Sequence, residues 1–547
     1  MGEGSEHAAQ NRLGIEALRS DAPSDLPLPH DSPRPRSVSL LGSAPAIVLF
    51  AMAIADAMRS ADTDLWGHIF FGRIILSQHQ WLFHAPFSYA CPPGPRDWIV
   101  HDWLGNVLMA LIYVASGVIG LKLAKFACVA AVMVLLSLGA AETRASLALQ
   151  AIVLWVAAVA LLPLMQIRTF LADDILFAAL MIILARESYG RGARLWLVPP
   201  MFALWANLHG GFFVGLAAMG LYTVVRGAQA LARDEGLRGP VRLAAVTSAA
   251  ALATLINPYG LRDLIVVVEV VHNPFTLRHI SEFRSLLAVM ADLNHTHRPL
   301  FTFVCAVGIM TATVAAFALT PRADDLALFA IAVLMIVSGL YAVRNTAMAV
   351  IACYVPLCRH SDLLIARLRP SRGAADARPS GVWPLLHAAL AVLAVALVIR
   401  SGLLSRTLPV VEAKPVGAVT FMREHNLRGD VLCEFGWGDY LIFHESTRFK
   451  IFIESMFEAY YPHQVQSDFA AVYYGEPGAA RVLDQYPNDF VLMPTGSPAY
   501  TLMMVQSGWR LIYRDPVSAL FARAASSAAQ IAGVPELVAA APPSVFP

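Results

Sequence analysis

The stretch Asp62-Thr-Asp-Leu-Trp-Gly-His68 decides how the rest of the chain is arranged. It follows directly after Leu40–Met58, an apolar segment long enough to cross a bilayer, so its two carboxylates stand where the chain leaves the membrane. Ionisable groups at a membrane boundary are costly unless they are solvated or paired. Their position therefore predicts that Asp62 and Asp64 serve a function. The alternative is that both are solvated charges at the end of a membrane span.

The loop that begins at this stretch, residues 59–118, is predicted to contain two amphipathic helices on the membrane surface. The first covers Leu65–Gln78 and the second covers Trp103–Gly117. Treating the second helix as a span would put the arginine clusters of the chain on alternating sides, against the positive-inside pattern. We therefore interpret it as a surface helix.

The two acids have different predicted roles at the start of the first helix. Residues two apart on a helix point to nearly opposite faces, so Asp62 and Asp64 cannot act there as a pair. We predict that Asp64 is the N-cap of Leu65–Gln78, with His68 four residues further on along the same face. This arrangement leaves Asp62 free in the preceding turn.

The composition excludes a soluble protein. Of the 547 residues, 57% are hydrophobic and 14% are charged, which is typical of a polytopic helical membrane protein. The net charge of +1 excludes a globally basic nucleic-acid-binding protein. None of the six cysteines has a CxxC or metal-ligand spacing.

Apolar segments and arginines together predict the membrane topology. About eleven spans can be laid down in succession, with the arginine clusters between them on the cytoplasmic side. The N-terminus is then cytoplasmic, and everything after Arg400 is exported. The predicted spans are Leu40–Met58, Ile119–Ala141, Leu147–Leu164, Phe170–Ala185, Leu195–Ala206, Phe212–Val225, Leu243–Ile256, Leu300–Leu319, Leu326–Tyr341, Thr346–Cys358 and Trp383–Val398.

The chain divides into four predicted regions. Residues 1–39 are polar and Pro-rich, which predicts a disordered cytoplasmic tail, and residues 40–400 form the membrane module. From about Lys414 the apolar period changes, and strands alternate with helices, which predicts an exported α/β domain over 401–525. Residues 526–547 are predicted to be a flexible tail. The α/β domain has no GxGxxG, P-loop or nucleophile elbow that would mark it as a separate enzyme.

Further polar residues lie at the external ends of the predicted spans. An arginine on the side where the positive-inside rule predicts few suggests an anionic ligand. The two acids after Arg168 have three alternatives: to cap a span, to hold a cation, or to anchor a substrate phosphate through the arginine. For the histidine in the Gly-rich turn, a structural hydrogen-bonded role is as well supported as a functional one. The candidates are Arg168, Asp173, Asp174, Asn207, His209, Arg344 and Asn345.

Taken together, these motifs resemble the GT-C superfamily of membrane glycosyltransferases, which includes protein O-mannosyltransferases and the aminoarabinose transferases that act on lipid A. The resemblance covers roughly residues 40 to 400. It rests on Asp62-Thr-Asp64 after the first span, the helices of that loop, Ile167-Arg-Thr-Phe-Leu-Ala-Asp-Asp174, and the exported domain with Trp437-Gly-Asp-Tyr440. It is closest to a bacterial branch with an Asp-x-Asp-Leu-Trp-x-His loop and an Asn-Leu-His-Gly-Gly turn.

The resemblance implies an inverting glycosyltransferase of the inner membrane. Such enzymes move a sugar from a polyprenyl-phosphate donor to an extracytoplasmic lipid, glycan or protein. An external aspartate acts as general base, here Asp62 or Asp64 with Asp62 favoured, while external arginines stabilise the leaving phosphate. The resemblance fixes no cofactor, and a divalent cation stays open. Nucleic acid is not an expected partner.

Two departures from the superfamily bear on the site. The Asp-Glu pair of the mannosyltransferases is absent, and the Lys/His-Pro-Pro-Leu motif is replaced by Val100-His-Asp-Trp-Leu104. His101 and Asp102 therefore join His68 as candidate substrate-binding residues.

A second hypothesis is a non-catalytic protein that binds lipid-linked glycans, such as a flippase or an assembly partner. A transporter is expected to place ionisable groups in the middle of its spans and to break helices there. The polar groups of this chain cluster at span ends, which favours an interfacial enzyme.

Overall fold

The computed structural model describes residues 61–79, 81, 85–91, 99–234, 236–292, 300–368, 405–410, 412–455, 461–531 and 544–547. All of them belong to one compact unit that spans Ala44–Pro547. The predicted tail over 1–39 and the predicted spans Leu40–Met58 and Trp383–Val398 lie outside the described residues, as does 532–543 of the predicted C-terminal tail.

The described residues up to Leu368 are helical. The helices are α1 Leu65–Gln78, α2 Trp103–Ala141, α3 Leu147–Leu161, α4 Leu171–Ser188, α5 Val198–Leu208, α6 Phe212–Ala232, α7 Arg238–Ala253, α8 Leu261–His272, α9 Pro274–His279, α10 Leu286–Ala291, α11 Leu300–Leu319, α12 Leu326–Tyr341 and α13 Thr346–Leu368. Short 3-10 turns join several of them: Leu162–Leu164, Leu195–Leu197, Ser281–Phe283, Ala323–Asp325 and Val343–Asn345.

Within the described residues, six helical segments are long and apolar enough to cross a membrane, and the chain is a multi-pass membrane protein. They pack around one large apolar core. Each predicted span inside the described ranges coincides with a helix, so the helical membrane class is confirmed. The count of eleven stays a prediction. The six segments are Trp103–Ala141, Leu147–Leu164, Phe212–Ala232, Leu300–Leu319, Ala323–Tyr341 and Val343–Leu368, and the shorter Leu195–Leu208 is also apolar.

The predicted bounds of α1 are right, and the second predicted helix is the first part of the longer α2, while a position on the membrane surface stays a prediction for both. Helix α1 begins and ends as predicted, but it lies buried between α2 and the C-terminal domain, with Trp66 and Gly67 inaccessible to solvent. The first half of α2 exposes apolar rather than polar side chains, among them Leu108 and Leu111. The helix breaks at Gly117, whose φ of 60° and ψ of −151° are open only to glycine. The first turns of α1 are therefore covered by the C-terminal domain, while the first half of α2 keeps an exposed apolar face.

Charged pairs join the helix ends opposite the C-terminal domain. Glu142 binds Arg186 and Arg191 at 3.0 and 2.9 Å, and Arg359 binds Asp325 at 2.8 Å. These arginines come from the segments predicted to share the cytoplasmic side. Their grouping at one end of the helix bundle follows from the antiparallel order of the helices.

The C-terminal region is an α/β domain, as predicted. Its five-stranded sheet has the order β3-β2-β4-β6-β5, in which β2 runs parallel to β3 and β4 while β6 runs antiparallel to β4 and β5. The strands alternate with helices that cover the sheet. The elements are α14 Val416–Glu424, β2 Gly429–Cys433, α15 Phe435–Glu445, β3 Phe449–Ile451, α16 His463–Tyr473, α17 Ala479–Gln485, β4 Phe490–Pro494, α18 Pro498–Met504, β5 Trp509–Arg514 and β6 Ser518–Arg523.

A separate two-stranded ribbon ties the ends of this domain together. Strand β1, Leu408–Pro409, pairs antiparallel with β7, Val545–Phe546. Ala61, the first described residue of the membrane module, pairs with Val410 next to β1. Residues 544–547, which belong to the predicted flexible tail, thus form part of the packed structure.

Candidate active site

Three carboxylates surround one arginine at the end of the helix bundle that carries the C-terminal domain. Arg168 Nε lies 2.6 Å from Asp62 and Arg168 Nη2 lies 2.8 Å from Asp64, and Nη1 donates to Glu282 at 3.1 Å. The acids come from the turn before α1 and from the 3-10 turn after α9, whereas Arg168 precedes α4. Burial opposes the charge of the guanidinium, but the three carboxylates raise the pKa of Arg168 well above its usual range. We call these four residues the acid–arginine cluster.

The structure corrects the predicted division of labour between the two motif acids. Asp64 occupies the N-cap position of α1, but its side chain accepts no capping hydrogen bond and points to Arg168. Asp62 is not free in its turn, because its Oδ1 accepts the amide of Asp64 at 3.0 Å and lies 2.6 Å from Arg168 Nε. A partly buried cation attracts a carboxylate more strongly than a helix N-terminus does. Burial raises the pKa of Asp64 to about 6, and Arg168 opposes that rise.

Glu282 was not among the residues predicted from the sequence. Its only signal is a lone acid flanked by Arg278 and Arg284 in the second long loop. The loop brings it to Arg168 from 114 residues away, because Val343 donates its amide to the Arg284 carbonyl at 3.0 Å and so ties the loop to the start of α13.

Next to the acid–arginine cluster, a buried polar network joins α1, α2 and the turn before α4. His68 Nδ1 lies 2.7 Å from Asn106 Oδ1 and 3.3 Å from Asp102 Oδ2. Asp102 also accepts hydrogen bonds from Asn106 Nδ2 at 2.9 Å and Thr169 Oγ1 at 3.0 Å. Thr169 follows Arg168 directly, so this network holds α1 and the arginine in register. The predicted candidates His68 and Asp102 are therefore brought together, and Asn106 and Thr169 complete them.

The charges of His68 and Asp102 stabilise each other. Burial disfavours a charged His68, but the hydrogen bond and the negative charge of Asp102 raise the pKa of the histidine. Burial likewise opposes ionisation of Asp102, whereas the hydrogen bond from His68 lowers the pKa of the carboxyl well below its usual range. The pair accordingly favours an imidazolium next to a carboxylate.

A third polar group forms around Asp173 at the start of α4. Asp173 accepts from Trp205 Nε1 at 2.6 Å and lies 2.5 Å from His209 Nδ1. A Cβ on Gly211 would lie 2.3 Å from the Asp173 carboxylate, so glycine is required in this turn. Asp173 is thus paired with Trp205 and His209, and the three alternatives for the Asp173–Asp174 pair stay predictions. Asp174, the next residue in the chain, is also buried, with 3% of its surface exposed to solvent.

Two more predicted candidates border this group. The ring of His101 lies 5.8 Å from that of His209. Burial lowers the pKa of His101 to about 4, which keeps the imidazole neutral near pH 7. Asn207 accepts a hydrogen bond from Trp103 Nε1 at 2.8 Å and donates to backbone carbonyls, so it links α5 to α2.

Arg344 and Asn345 differ in what they contact. The guanidinium of Arg344 stacks 4.5 Å from the ring centre of Phe283, the residue after Glu282, and forms no salt bridge among the described residues. Asn345 donates to Ser338 Oγ at 2.9 Å and holds the end of α12. Arg344 thus flanks the acid–arginine cluster, whereas Asn345 has a structural contact.

The C-terminal domain places one further acid against α1. Asp439 of α15 is fully buried, and a Cβ on Gly67 would lie 2.6 Å from its Oδ1. Burial raises the pKa of Asp439 well above its usual range, and Glu454 and Asp64 add to the shift. The motif Trp437-Gly-Asp-Tyr440 was noted in the sequence, but its contact with the first motif could not be predicted from it.

Comparisons with known proteins find similarity in structure alone. No protein-family model and no curated protein matches the chain. The apo form of the oligosaccharyltransferase of Archaeoglobus fulgidus matches with a TM-score of 0.54 at 12% identity, over 88% of this chain and 75% of that one. The archaeal oligosaccharyltransferase AglB from Archaeoglobus fulgidus, in complex with an inhibitory peptide and a dolichol-phosphate, matches with a TM-score of 0.52 at 13% identity, over 82% and 69%.

The chain has the GT-C fold. This confirms the GT-C resemblance at the level of the fold. ArnT from Cupriavidus metallidurans bound to undecaprenyl phosphate also matches, at 13% identity and a TM-score of 0.41 over 88% of this chain and 97% of that one. Within the GT-C fold, the acid–arginine cluster lies where the helix bundle meets the C-terminal domain.

Proposed function

We propose that the chain is an inverting GT-C glycosyltransferase of the inner membrane. It would move a sugar from a polyprenyl-phosphate donor to an extracytoplasmic lipid, glycan or protein. The observation that carries the proposal is the acid–arginine cluster, which joins candidate bases to a phosphate-binding cation at the domain end of the bundle. The solved AglB complex contains a dolichol-phosphate, which supports a lipid phosphate as ligand. In this proposal, the end of the helix bundle that carries the C-terminal domain faces the exported side of the membrane.

The donor phosphate binds between two arginines in this proposal. Arg344 forms no salt bridge among the described residues and is the first contact, because its charge is uncompensated there. Arg168 is the second, and its guanidinium exchanges a carboxylate for the phosphate. Arg168 and Arg344 flank the same 3-10 turn, Ser281–Phe283, so one phosphate can engage both. Planar guanidinium groups bind phosphate through paired hydrogen bonds.

This exchange would also prepare the base. A carboxylate that is held by a guanidinium is a weak base, because the positive charge stabilises its ionised form. When Arg168 turns to the phosphate, Asp62 is released and takes the proton of the acceptor hydroxyl. The acceptor oxygen then bonds to the anomeric carbon from the face opposite the phosphate. The carbon–phosphate oxygen bond breaks, and polyprenyl phosphate leaves with its charge held by the arginines.

A divalent cation does not fit the arrangement described here. Carboxylates are the oxygen ligands that such cations prefer, and three of them converge in the acid–arginine cluster. They converge on the guanidinium of Arg168, however, and no group of three His, Cys, Asp or Glu side chains among the described residues could hold a metal ion. In the proposed reaction Arg168 supplies the positive charge beside the phosphate.

The test is a transfer assay with purified protein in liposomes and a panel of radiolabelled polyprenyl-phosphate monosaccharides. Asp62→Asn should lower turnover about a hundredfold, since it keeps the size and removes the basicity of the side chain. Asp484→Asn is the matched control, because that carboxylate is 80% exposed on the C-terminal domain. Asp64→Asn removes a carboxylate charge that competes with the phosphate for Arg168, so it should not weaken donor binding. A normal rate for Asp62→Asn with a loss in Asp64→Asn would move the base to Asp64.

Binding is measured separately with polyprenyl phosphate that carries no sugar. Arg168→Ala and Arg344→Ala should each weaken its binding roughly ten- to a hundredfold, since a charge-assisted hydrogen bond is worth about 1.5–3 kcal/mol. Replacement by lysine should restore part of the affinity, because a point charge lacks the planar fork. Unchanged binding in both alanine variants would contradict the phosphate role.

A non-catalytic binder of lipid-linked glycans is the second candidate. One observation favours it: Asp62, Asp64 and Glu282 all contact Arg168, so neither acid of the Asp62–Asp64 motif is free of the guanidinium in this structure. Such a protein would bind polyprenyl phosphate and transfer no sugar from any donor of the panel. Full activity of Asp62→Asn, Asp64→Asn and Asp174→Asn would favour this candidate as well.

A further inference from the structure

Strand β7 contacts the acidic motif from outside the catalytic groups. Phe546 has no solvent exposure and its ring lies 5.0 Å from the ring of Trp66, the second residue of α1. The same ring lies 5.5 Å from Tyr113 of α2 and 5.9 Å from Phe443 of α15. One side chain near the end of the sequence thus fills the space where α1, α2 and the C-terminal domain meet.

The same strand also reaches the residue before the motif. Leu408 and Pro409 of β1 pair with Phe546 and Val545 of β7. The Pro409 carbonyl accepts the amide of Ala61 at 2.7 Å. Ala61 precedes Asp62 in the chain. Strand β7 therefore restrains the chain before the two acids through β1, and the chain after them through Trp66.

Three polar contacts fix this arrangement in place. Tyr113 donates its hydroxyl to the Pro547 carbonyl at 2.9 Å. Ser544 Oγ accepts the Lys414 amide at 2.7 Å, and the Lys414 ammonium lies 5.4 Å from the Trp66 ring centre while it donates to the Gly436 carbonyl. The residues on either side of the strand are therefore bonded to α2 and to Lys414, whose ammonium bonds to the start of α15, while Phe546 of the strand packs against α1.

We propose that Val545–Pro547, the β7 clamp, is a positioning element that sets Asp62 and Asp64 against Arg168. The reach of a carboxylate to Arg168 depends on the backbone of residues 61–65, and β7 restrains both sides of that segment. Loss of the clamp releases the segment and lengthens the contacts to Arg168, without removing any group that touches substrate. The effect on turnover rests on the proposed glycosyltransferase function, whereas the effect on the segment does not.

The first test is hydrogen exchange, followed by mass spectrometry, of the full protein in detergent. Phe546→Ala should speed exchange in peptides that cover residues 61–79 by about tenfold or more, because Ala61 loses its fixed acceptor and α1 loses its contact. Peptides from β4 and β6 should exchange as in the parent protein. Val545→Ala is the matched control, since that neighbouring side chain is 41% exposed and should leave exchange unchanged.

A disulfide provides the rescue. Pro409 and Val545 are paired across the ribbon, so cysteines at both positions can join β1 to β7. Added to Phe546→Ala, the oxidised pair should restore slow exchange at residue 61, and reduction should abolish the rescue. In the transfer assay Phe546→Ala should lower kcat about tenfold or more with little change in KM for the donor, and oxidation of the pair should recover kcat.

The possible outcomes distinguish failure of the β7 clamp proposal from failure of the proposed glycosyltransferase function. Exchange in 61–79 that is unchanged by Phe546→Ala overturns the proposal, and so does fast exchange with an unchanged kcat. If no donor is transferred even by the parent protein, the proposed function fails, while hydrogen exchange still decides whether β7 restrains the motif. If Phe546→Ala does not fold, Tyr113→Phe removes only the bond to Pro547 and is judged by the same exchange measurement.

Discussion

Replacement of Arg168 by glutamine should destabilise the protein strongly. The arginine side chain is 17% exposed, and its partners Asp62, Asp64 and Glu282 are 5%, 24% and 19% exposed. All four side chains are therefore largely buried, and solvent screens their ion pairs much less than it screens pairs on the surface. Removing one partner of a buried pair typically costs about 3–5 kcal/mol, because it leaves uncompensated charge. Since three carboxylates stay behind, Arg168→Gln should fall in or above that range.

The assay is thermal unfolding in detergent, followed by intrinsic fluorescence at pH 8 and pH 5. Arg284→Gln is the matched control: it breaks a pair with Asp292 at 3.2 Å in which both side chains are about one third exposed, so it should cost no more than about 1 kcal/mol. Adding Glu282→Gln to Arg168→Gln should recover part of the loss, because it removes one uncompensated carboxylate.

The sign of the pH dependence follows from Asp64. Its pKa is raised to about 6, and Arg168 is the factor that opposes the rise, so the pKa should be higher still without the arginine. A folded state with a raised carboxyl pKa binds its proton more tightly than the unfolded chain, and stability therefore falls as pH rises through that pKa. The deficit of Arg168→Gln should accordingly be larger at pH 8 than at pH 5. Equal stability of Arg168→Gln and Arg284→Gln at pH 8, or a deficit independent of pH, would refute the reasoning.

Three further predictions follow from other parts of the molecule. A reporter fused after Ser405 should be active only in the exported compartment, and cytoplasmic activity would reverse the assigned orientation. Gly438→Ala should destabilise the C-terminal domain by about 1–3 kcal/mol in chemical unfolding, because the new Cβ would lie 2.5 Å from the Ile453 carbonyl oxygen, whereas Gly496→Ala, with open space around it, should be neutral. The lowered pKa of His101, about 4, means that the unfolded chain takes up a proton first as pH falls below 6.5; stability should therefore drop between pH 6.5 and 4, and thermal unfolding of His101→Gln should show a smaller drop.

The sequence was sufficient to predict most of the helices and strands, but it did not predict which side chains contact one another. The bounds of α1 and the strands around β2 and β4 follow from apolar period and turn residues, which act over a few neighbours. The burial of the first turns of α1 was not predicted, because it depends on what covers the helix, and α15 covers these turns. Glu282 was missed for the same reason, since nothing near it in the chain marks Arg168 as its partner.

The amino-acid sequence by itself determined that the chain spans a membrane, that an α/β domain follows, and that the polar groups collect at one end of the helix bundle. These properties depend on hydropathy and backbone hydrogen bonding, which are local or additive along the chain. Only the tertiary structure decided that Asp64 binds Arg168 instead of capping α1, and that Phe546 packs on Trp66. An ion pair or a ring contact forms only where loops distant in sequence bring two groups within a few ångströms, and the packing of the whole unit sets that distance.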